Sequence, residues 1–461
     1  MRPPTYKLMK LEKWQKAVIE HGELYRVGGA VRDELLGVEH SHEDVDFLVR
    51  GISAKLFEKL LSRHGRLALV GKSFGVYKFK PTGEDIEHDI AFPRREKSTG
   101  PGHHDFDVEW EENLPVETDL ARRDFTINAI AQSVLDGRIV DPFSGRKDIE
   151  RHTLRMIFPE AFSEDPLRIL RGIRFAARFS LVIEPETAAA MKKSTSLLAS
   201  LSAERIQEEL SKLLVQCERP SEPLAQMRKL GVLEVVFAEL DHTFGIEQNE
   251  YHADDLFWHS LKSCDEAPRD NLLVRWAALL HDLGKVEARQ VIREPDSPER
   301  VVFYGHEDVS ARITQEVLGR LRYAADFVKR CRHLVKNHMV RYVPEWNRST
   351  VRRFIRTIGE EDLEDMFALR RADLLSRGDG GPVEEVDELE RRVRDELQSQ
   401  HALKIEDMAI DGDDVMRVLG IGPGERVGRI LHELFERVLE TPSLNERETL
   451  LAIVEASYTD S

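Results

Sequence analysis

The chain has 461 residues, and at roughly 150 residues per domain this length predicts about three domains. Hydrophobic residues make up 41% and charged residues 33%, a composition that supports folded cores and excludes a disordered chain. The formal net charge of −17 argues against a histone-like protein or one that coats anionic membranes, although it permits a local basic groove.

Cysteine content and hydropathy indicate the cellular compartment of the protein. The three cysteines form no CxxC pair, which excludes a disulfide scaffold and a cysteine-rich zinc module. No apolar run reaches the roughly 18 residues of a membrane span. The N-terminus, Met1-Arg2-Pro3-Pro4, lacks the apolar core of a signal peptide. We therefore expect a soluble, cytoplasmic protein with no membrane partner.

Residues 24–153 predict an α/β region. A strand over 24–27 leads into a pair of glycines and a helix over 31–36. Further strands are predicted over 45–49, 76–79, 86–91 and 138–140. The polar stretch 93–120 is too long for an ordinary connection, so we predict that it is functional or mobile.

Helical periodicity dominates from about residue 154 onward. Helices are predicted over 167–179, 185–198, 202–215, 272–283 and 306–321. Pro185 and Ser202 occupy positions typical of a first-turn proline and an N-cap. A predicted linker over 376–382 precedes a charged helix over 383–398 and a helical tail that is rich in glycine.

Two carboxylates flank Val45 on a predicted strand. The period of two places Asp44 and Asp46 on one face, while Val45 turns to the core. Two hard oxygen ligands side by side suit Mg²⁺ and metal-assisted phosphoryl transfer. The alternative is a strand end with solvated acids. Asp89, which alternates with Glu87 on a later strand, is a candidate third ligand, and an exposed sheet edge is its alternative.

The preceding glycine turn favours the metal interpretation. Gly28 and Gly29 allow a close approach of the backbone to a ligand, and the helix that follows offers free N–H groups to a phosphate. Arg32, one turn into this helix, is predicted to add a bidentate phosphate contact.

These residues resemble the head of the polymerase-β-like nucleotidyltransferases. They are most similar to the class II bacterial tRNA nucleotidyltransferases, or CCA-adding enzymes, and their poly(A) polymerase relatives. Further segments match in the order of that family: Arg122–Ala129 resembles its second motif, Asp141–Gly145 its hinge and Glu164–Phe175 its nucleotide-selecting helix.

The resemblance implies roles for individual residues. Asp44 and Asp46 would be catalytic Mg²⁺ ligands, and Asp165 with Arg168 would select CTP and ATP without a nucleic-acid template. The implied nucleotide-binding set is Gly28, Gly29, Arg32, Arg123, Asp124, Asn128, Asp165, Arg168, Arg171 and Arg174.

The arginines of the selecting helix also have a direct physical interpretation. Arg168, Arg171 and Arg174 recur every third residue, so they share one broad helix face and require an anion opposite them. A triphosphate or an RNA backbone would supply that anion. The alternative is a solvated face with an ion pair between Glu164 and Arg168.

A second constellation lies in the other half of the chain. His259, the pair His281-Asp282 and Asp373 resemble the H…HD…D pattern of HD phosphohydrolases. Nitrogen and carboxylate ligands suit Ni, Mn, Co, Fe or Zn better than Mg²⁺. His306 and His338 are candidates for a second ion or a substrate phosphate, with an ordinary buried histidine as the alternative for His338. The resemblance implies a phosphatase, phosphodiesterase or 2′-nucleotidase.

Basic residues cluster along the second half without an aromatic-interleaved RNA motif. They are either solvated helix faces or, as the family resemblance implies, part of a body that holds tRNA by shape and phosphates. The clusters are Arg320, Arg322, Lys329, Arg330, Arg332, Lys336, Arg341, Arg352, Arg353 and Arg356.

The sequence thus predicts an α+β multidomain enzyme. Its expected parts are a mixed-sheet nucleotidyltransferase head over 1–153, a helical neck over 154–235, an HD domain over 236–380 and a helical tail over 381–461 that binds tRNA. The expected substrates are the tRNA 3′ end, CTP and ATP, and the expected state is a monomer or weak homodimer.

Three rival functions remain. The first is a partial enzyme that adds only CC or only A, or a poly(A) polymerase. The second is an HD phosphohydrolase acting on RNA ends with a non-catalytic head. The third is a non-catalytic tRNA-binding protein, which the two intact carboxylate sets disfavour.

Overall fold

The computed structural model describes residues 11–38, 45–71, 75–98, 106–248, 254–293, 299–377, 383–398 and 404–459. The chain forms two compact units, Met1–Glu218 with Glu222–Ala238 and Arg219–Ser221 with Glu239–Ser461. The boundaries of the four domains drawn from the sequence stay predictions. None of the described helices combines the length and the apolar character that crossing a bilayer requires.

The first unit begins as a mixed α/β region. Its elements are α1 (Lys13–Ile19), β1 (Glu23–Val27), α2 (Gly29–Leu36), β2 (Asp46–Arg50), α3 (Ala54–Leu61), β3 (Gly65–Gly71), β4 (Val76–Pro81), β5 (His88–Ala91), β6 (Arg94–Ser98), β7 (Phe106–Trp110), α4 (Val116–Ala121), a 3-10 turn (Thr126–Asn128), β8 (Ala131–Ser133), β9 (Ile139–Val140) and α5 (Gly145–Glu150).

Seven of these strands form one mixed sheet in the order β3-β4-β5-β2-β1-β8-β9. The strands β2 and β5 are parallel, and the other neighbours are antiparallel. The predicted strands are all present, and the glycine turn joins β1 to α2 beside the start of β2.

The alternation of side chains along β2 separates core from surface. Phe47 and Val49 lie in a buried cluster with Trp14 of α1 and Phe57 of α3. Leu48 points to the other face, where it packs in a cluster with Leu120 of α4. Since successive residues of a strand alternate, the side chain of Asp46 emerges on the Leu48 face.

The polar stretch 93–120 contains more regular structure than the sequence indicated. Strands β6 and β7 form an antiparallel hairpin in which Arg94 pairs with Trp110. The Trp110 ring stacks on Phe92, with ring centroids 5.4 Å apart. The helix α4 follows. This hairpin therefore has an anchored base, and residues 99–105 lie outside the described part.

The rest of the first unit is almost entirely helical. Its elements are β10 (Thr153–Leu154), α6 (Ala161–Glu164), α7 (Leu167–Arg178), β11 (Val182–Ile183), α8 (Pro185–Ser194), a 3-10 turn (Thr195–Ser200), α9 (Ala203–Gln216), α10 (Ser221–Lys229), which starts at a residue of the second unit, and α11 (Val232–Val236). The strands β10 and β11 add a short parallel pair that the helical periodicity did not predict.

A glycine brings α7 against the segment before the 3-10 turn. A Cβ at Gly172 would lie 2.6 Å from Phe125 Cζ and 2.5 Å from Met191 Cε. Any larger residue would therefore clash with the Met191 methyl group and with the Phe125 ring, which follows Asp124 in the chain, and would force these groups or α7 to shift.

The second unit is dominated by helices. Its elements are α12 (Ala238–Asp241), whose first residue belongs to the first unit, α13 (Leu256–Glu266), α14 (Leu272–Leu280), α15 (Lys285–Ala288), β12 (Gln290–Ile292), β13 (Arg300–Val302), α16 (His306–Arg320), α17 (Ala325–Lys336), α18 (Arg348–Ile358), a 3-10 turn (Glu360–Asp362), α19 (Leu363–Leu375), α20 (Val383–Gln398), a 3-10 turn (Ile405–Asp407), α21 (Gly412–Leu419), α22 (Glu425–Glu440), a 3-10 turn (Pro442–Leu444) and α23 (Arg447–Tyr458). The antiparallel ribbon β12–β13 is an addition to the predicted helical architecture. The last three helices share a core of their own around Leu434 and Leu450.

Candidate functional sites

The glycine turn after β1 faces two charged side chains. Gly28 has a φ of +70°, and a Cβ built there would lie 3.2 Å from Asp46 Oδ2 and 3.1 Å from Arg123 Nη1. A side chain at this position would be both conformationally strained and crowded. The turn thus brings its backbone directly against a carboxylate and a guanidinium.

The pairing of β2 with β5 places two carboxylates on one face. Phe47 lies opposite Ile90 in parallel register, and both side chains belong to the buried cluster. One residue earlier in each strand are Asp46 and Asp89, whose side chains consequently emerge together on the opposite face.

The three predicted metal ligands of the head differ in what the structure says about them. Asp46 lies at the glycine turn. Asp89 is half-exposed and forms an ion pair with Lys78 at 3.4 Å, so it is available but already partly neutralised. Asp44 lies outside the described residues, and its role as a ligand stays a prediction.

A buried chain of hydrogen bonds joins three motifs that are far apart in sequence. Arg32 Nη1 donates to Asn128 Oδ1 at 2.8 Å, and Asn128 Nδ2 donates to Asp124 Oδ1 at 2.8 Å. The other oxygen of Asp124 accepts from Nε and Nη2 of Arg171 at 2.9 and 2.8 Å. The helix after the glycine turn, the second motif and the selecting helix are therefore connected through two arginines, an aspartate and the amide of Asn128.

Arg32 itself is enclosed. Its side chain is buried, donates to Asp33 Oδ1 at 2.7 Å and lies over the rings of Phe175 and Phe179. Burial lowers its pKa below the usual arginine value, although Asp33 opposes that effect. In this structure Arg32 contacts groups of the protein and positions Asn128, and its predicted bidentate phosphate contact stays a prediction.

The ionic state of Asp124 follows from its partners. Burial by itself would raise the pKa of this carboxyl, but Arg171 and the amide of Asn128 outweigh it and lower the pKa to about 2. Asp124 in turn raises the pKa of Arg171. The pair is therefore charged at neutral pH and holds the partly exposed Arg171 in one orientation.

The two predicted base-selecting residues have separate partners. Asp165, which directly precedes α7, forms an ion pair with Arg205 Nη2 at 3.0 Å. Arg168 is buried and donates to the backbone oxygens of Arg122 and Ala161. The donor and acceptor groups that would read a base are thus held in place before a nucleotide arrives.

The arginines of α7 do not share one open face. Arg174 is buried and donates to Glu209 Oε2 at 2.8 Å and to Gln216 Oε1 at 3.0 Å. Arg171 is the most open of the three, with a side chain 35% exposed. The protein's own carboxylates, Asp124 and Glu209, thus lie opposite Arg171 and Arg174, where a bound anion was expected.

The second constellation is brought together in the second unit. His259 comes from α13, His281 and Asp282 from the end of α14, and Asp373 from α19. The Nε2 atoms of His259 and His281 are 3.3 Å apart, and each is 3.3 Å from Asp282 Oδ2. Asp373 Oδ1 lies 3.4 Å from His259 Nε2. Two nitrogens and two oxygens therefore point at one small volume.

A second group of ligands begins at the other oxygen of Asp282. Oδ1 of Asp282 lies 3.1 Å from His306 Nε2 and 3.6 Å from His338 Nε2. Both histidines are buried, and their Nε2 atoms are 3.3 Å apart. His338 is thus part of the constellation rather than an isolated core residue, and Asp282 lies between two histidine pairs.

The outer nitrogens of the rings fix their orientation. Nδ1 of His281, His306 and His338 contacts the backbone oxygen of the residue three positions earlier, at 2.6 to 2.8 Å. A proton on Nδ1 leaves the Nε2 lone pair available to a metal. His259 Nδ1 contacts the hydroxyl of Ser376 at 3.1 Å. Ser376 is buried, so the predicted linker over 376–382 begins inside the metal centre rather than on the surface.

The charges of this centre are those a metal site requires. Burial would raise the pKa values of Asp282 and Asp373, but the surrounding histidines, Lys285 and arginines outweigh it and hold both well below the usual range. Burial lowers the pKa of His338. Ionised carboxylates beside imidazoles fit a divalent metal ion, and the transition metals named from the sequence stay a prediction.

Comparison with known proteins decides the family. The Poly A polymerase head domain matches residues 24–155, a probable RNA- and SrmB-binding site of polymerase A matches 180–244, and the HD domain matches 250–378. The "Multifunctional CCA protein" of Dechloromonas aromatica is 40% identical over 319 residues, which are 68% of this chain and 71% of the relative. The chain belongs to the tRNA nucleotidyltransferase family.

Two further members of the tRNA nucleotidyltransferase family extend the match along the chain. The "A-adding tRNA nucleotidyltransferase" of Deinococcus radiodurans is 34% identical over 437 residues, 89% of this chain and 90% of the relative. The crystal structure of the Bacillus stearothermophilus CCA-adding enzyme in complex with CTP is 23% identical, with a TM-score of 0.70 over 96% of this chain and 95% of that chain. This structural likeness confirms the α+β fold predicted from the sequence.

The basic clusters of this family member are largely engaged within the protein. Several of their arginines and lysines form ion pairs, which neutralise the groups that the sequence offered for RNA phosphates. The pairs are Arg320–Glu239, Arg330–Asp362, Lys336–Asp308, Arg352–Glu396, Arg353–Glu436 and Arg356–Glu436. Arg352 is also buried and donates to the backbone oxygen of Leu439, so its role is to bind helices together.

Sequence reasoning missed three residues that organise the head. Asp119 is buried and binds both Arg122 and Arg123, which outweigh burial and lower its pKa. Its spacing of three and four from these arginines on a helix was a readable signal. Arg205 and Glu209 lie on α9, more than thirty residues from their partners Asp165 and Arg174, so no local pattern pointed to them.

Proposed function

We propose that this chain adds CMP and AMP to the 3′ end of tRNA without a nucleic-acid template. In this reaction the tRNA 3′-hydroxyl attacks the α-phosphorus of CTP or ATP, and pyrophosphate leaves. The observation that supports the proposal most strongly is the buried connection Arg32–Asn128–Asp124–Arg171, next to a glycine turn that faces Asp46.

The head residues fit Mg²⁺ bound with a nucleotide. Asp46 presents a hard oxygen ligand on a rigid strand at the turn, with Asp44 and Asp89 as its proposed companions. Bound Mg²⁺ would lower the pKa of the attacking hydroxyl and neutralise triphosphate charge. Arg123 and Arg171 lie where they can orient phosphates and sugar, and Asp165 with Arg168 would select the base. We expect this activity in the cytoplasm, from a monomer or weak homodimer.

Extension of purified tRNA transcripts tests the proposal. Transcripts that lack CCA, CA or the final A are incubated with CTP alone, ATP alone or both, and the products are separated at single-nucleotide resolution. We expect all three transcripts to end in CCA when both nucleotides are present. Addition of AMP to the longest transcript only would instead assign the specificity of the Deinococcus radiodurans relative. Addition of CMP only would indicate a CC-adding enzyme, and a long A tail a poly(A) polymerase.

Asp165→Ala is expected to weaken nucleotide choice more than folding. The carboxylate is worth about 1–3 kcal/mol of base discrimination, so the ratio of kcat/KM for CTP over UTP should fall by roughly five- to a hundredfold. The partly exposed ion pair with Arg205 should cost less than about 1 kcal/mol of unfolding free energy. Glu160→Ala, at an exposed position nearby, is the matched control. An unchanged nucleotide ratio would contradict selection by Asp165.

The ligand set of the second unit favours a second activity. We propose a metal-dependent phosphohydrolase, acting as a phosphatase, phosphodiesterase or 2′-nucleotidase, at His259, His281, Asp282 and Asp373. The support is that the Nε2 atoms of His259 and His281 each lie within 3.8 Å of Asp282 Oδ2 and of Asp373 Oδ1, inside a buried site. Nickel, manganese, cobalt, iron and zinc all suit such ligands, and the bound ion would activate water toward a phosphate ester.

His281→Ala is expected to remove one divalent ion per chain and the release of phosphate from 2′-phosphorylated or 2′,3′-cyclic nucleotides. Metal content is measured by equilibrium dialysis against Ni²⁺ and Mn²⁺. Because the head does not use His281, CMP and AMP incorporation should remain. His432→Ala, on an exposed side chain of α22, is the control. Phosphate release that persists in His281→Ala would assign the activity elsewhere.

A further inference from the structure

A cavity of about 380 Å³ is lined by Arg370 and Arg377, both of which donate to Asp373. It is bordered by α18, α19, α20 and the segment after His338. Apolar side chains form most of its wall, among them Phe354, Phe367 and Leu389. Its volume lies within the range of about 300–1,000 Å³ that is typical of small-molecule sites.

The charged end of this cavity is built around one carboxylate oxygen. Oδ2 of Asp373 accepts from Arg370 Nη1 at 2.7 Å and from Arg377 Nη2 at 3.0 Å, while its Oδ1 faces the histidines. A single carboxylate oxygen thus accepts hydrogen bonds from two guanidinium groups. Among the described residues, which exclude 378–382, Nε of Arg377 is buried and has no hydrogen-bond partner, and such a donor calls for an acceptor.

The remaining polar residues of the lining indicate which kind of ligand would fit the cavity. Arg341 adds a third, exposed guanidinium, and Glu385 is the exposed carboxylate of the set. The hydroxyl of Tyr342 accepts from Arg392 at 2.9 Å, which fixes this ring in the wall. Surplus positive charge at one end and aromatic rings at the other match a phosphate attached to a flat apolar group.

We propose that this cavity binds a nucleoside monophosphate, with the phosphate on Arg370 and Arg377 and the base among the rings of Phe354, Phe367 and Tyr342. The proposal rests on the phosphohydrolase function given above and identifies its substrate pocket, because the lining residues Arg370 and Arg377 both donate to the proposed metal ligand Asp373. The ligand is either a free mononucleotide or the terminal phosphorylated nucleotide of an RNA.

Calorimetric titration of the full chain in EDTA tests binding without metal. The probes are 2′-AMP, 3′-AMP, a short RNA ending in a 3′-phosphate, adenosine and inorganic phosphate. We expect at least one phosphorylated nucleotide to bind roughly tenfold or more tightly than adenosine or phosphate alone. Tighter binding of the oligonucleotide than of the mononucleotides would identify an RNA end as the source. Equal affinity for inorganic phosphate, or no binding of any nucleotide, would overturn the proposal.

Two variants localise the bound nucleotide. Arg377→Gln should weaken it by about tenfold, since a charged hydrogen-bond donor is lost. Met339→Trp should weaken it as well by filling the cavity, and because Met339 is 57% exposed the fold should persist, as circular dichroism would verify. Arg391→Gln removes the same charge from an exposed position on α20 and should change nothing. Unchanged affinity in both Arg377→Gln and Met339→Trp would place the nucleotide outside this cavity.

Equilibrium dialysis against Ni²⁺ and Mn²⁺ separates a failure of the cavity proposal from a failure of the proposed phosphohydrolase. If the wild-type chain binds Ni²⁺ or Mn²⁺ but no nucleotide in EDTA, the cavity proposal fails and the metal centre stands. If the chain binds a nucleotide at the cavity but no divalent ion, the phosphohydrolase fails and the cavity remains a nucleotide site.

Discussion

Asp46→Asn should lower the rates of both CMP and AMP incorporation by at least about a thousandfold, which corresponds to about 4 kcal/mol of transition-state stabilisation. A neutral amide is a poor ligand for Mg²⁺, and the carboxylate faces the glycine turn at which the triphosphate would bind. Because the side chain is exposed, thermal unfolding should change little. Single-turnover extension of a tRNA transcript measures the rate.

The control for Asp46→Asn is Asp85→Asn, which removes a fully exposed carboxylate from the same unit. Asp44→Asn is expected to cause a loss of the same size, since the sequence places Asp44 on the same strand face. An Asp46→Asn enzyme that extends tRNA at near the parental rate would disprove metal binding at this strand. That result would favour the rival function, an HD phosphohydrolase with a non-catalytic head.

Asp124→Asn should damage both activity and stability. Without the charge, Arg171 and Asn128 lose their common anchor, and displacement of these groups should slow incorporation by about ten- to a hundredfold. The shift of the Asp124 pKa from 3.8 to about 2 corresponds to about 2 kcal/mol of folding free energy, which the variant lacks at pH 7.

The difference in unfolding free energy between the parent and Asp124→Asn should depend on pH in the way expected for a carboxyl with a lowered pKa. The stabilisation is fully present above the ordinary pKa of 3.8 and is lost as the pH falls toward about 2. Urea unfolding at pH 7, 5, 4 and 3 should therefore show the two proteins converging below pH 4. A constant difference across this range, or the same trend in Asp85→Asn, would contradict a role for the Asp124 charge.

Local pattern was sufficient for much of the fold and for part of each site. Alternation predicted β2 and the surface position of Asp46, and a helix starting at Leu167 was visible in its periodicity. The adjacent His281 and Asp282 could be paired with His259 and Asp373 because that spacing has a known chemical meaning. These features depend on residues that are near in sequence or on a recurrent motif.

The contacts that the sequence could not predict depend on partners that only the folded chain supplies. The arginines of α7 were predicted to await a phosphate, yet Arg174 is neutralised by Glu209 from α9. The basic residue Arg352 was a candidate for RNA contact, and it is buried against Glu396. A sequence shows which charges exist, but the partner that neutralises each one is decided by tertiary packing.

Gly172 has a consequence for the way this enzyme handles different substrates. Gly172 packs α7 closely against Phe125 and Met191, and the neighbouring Arg171 is hydrogen-bonded to Asp124 of the second motif. A nucleotide that tilts α7 must therefore carry Asp124 and its bonded neighbours along. Binding of cytosine or adenine and alignment of the sugar would then occur in one movement. A poorly matched base would therefore misplace its own triphosphate and lower the rate of incorporation.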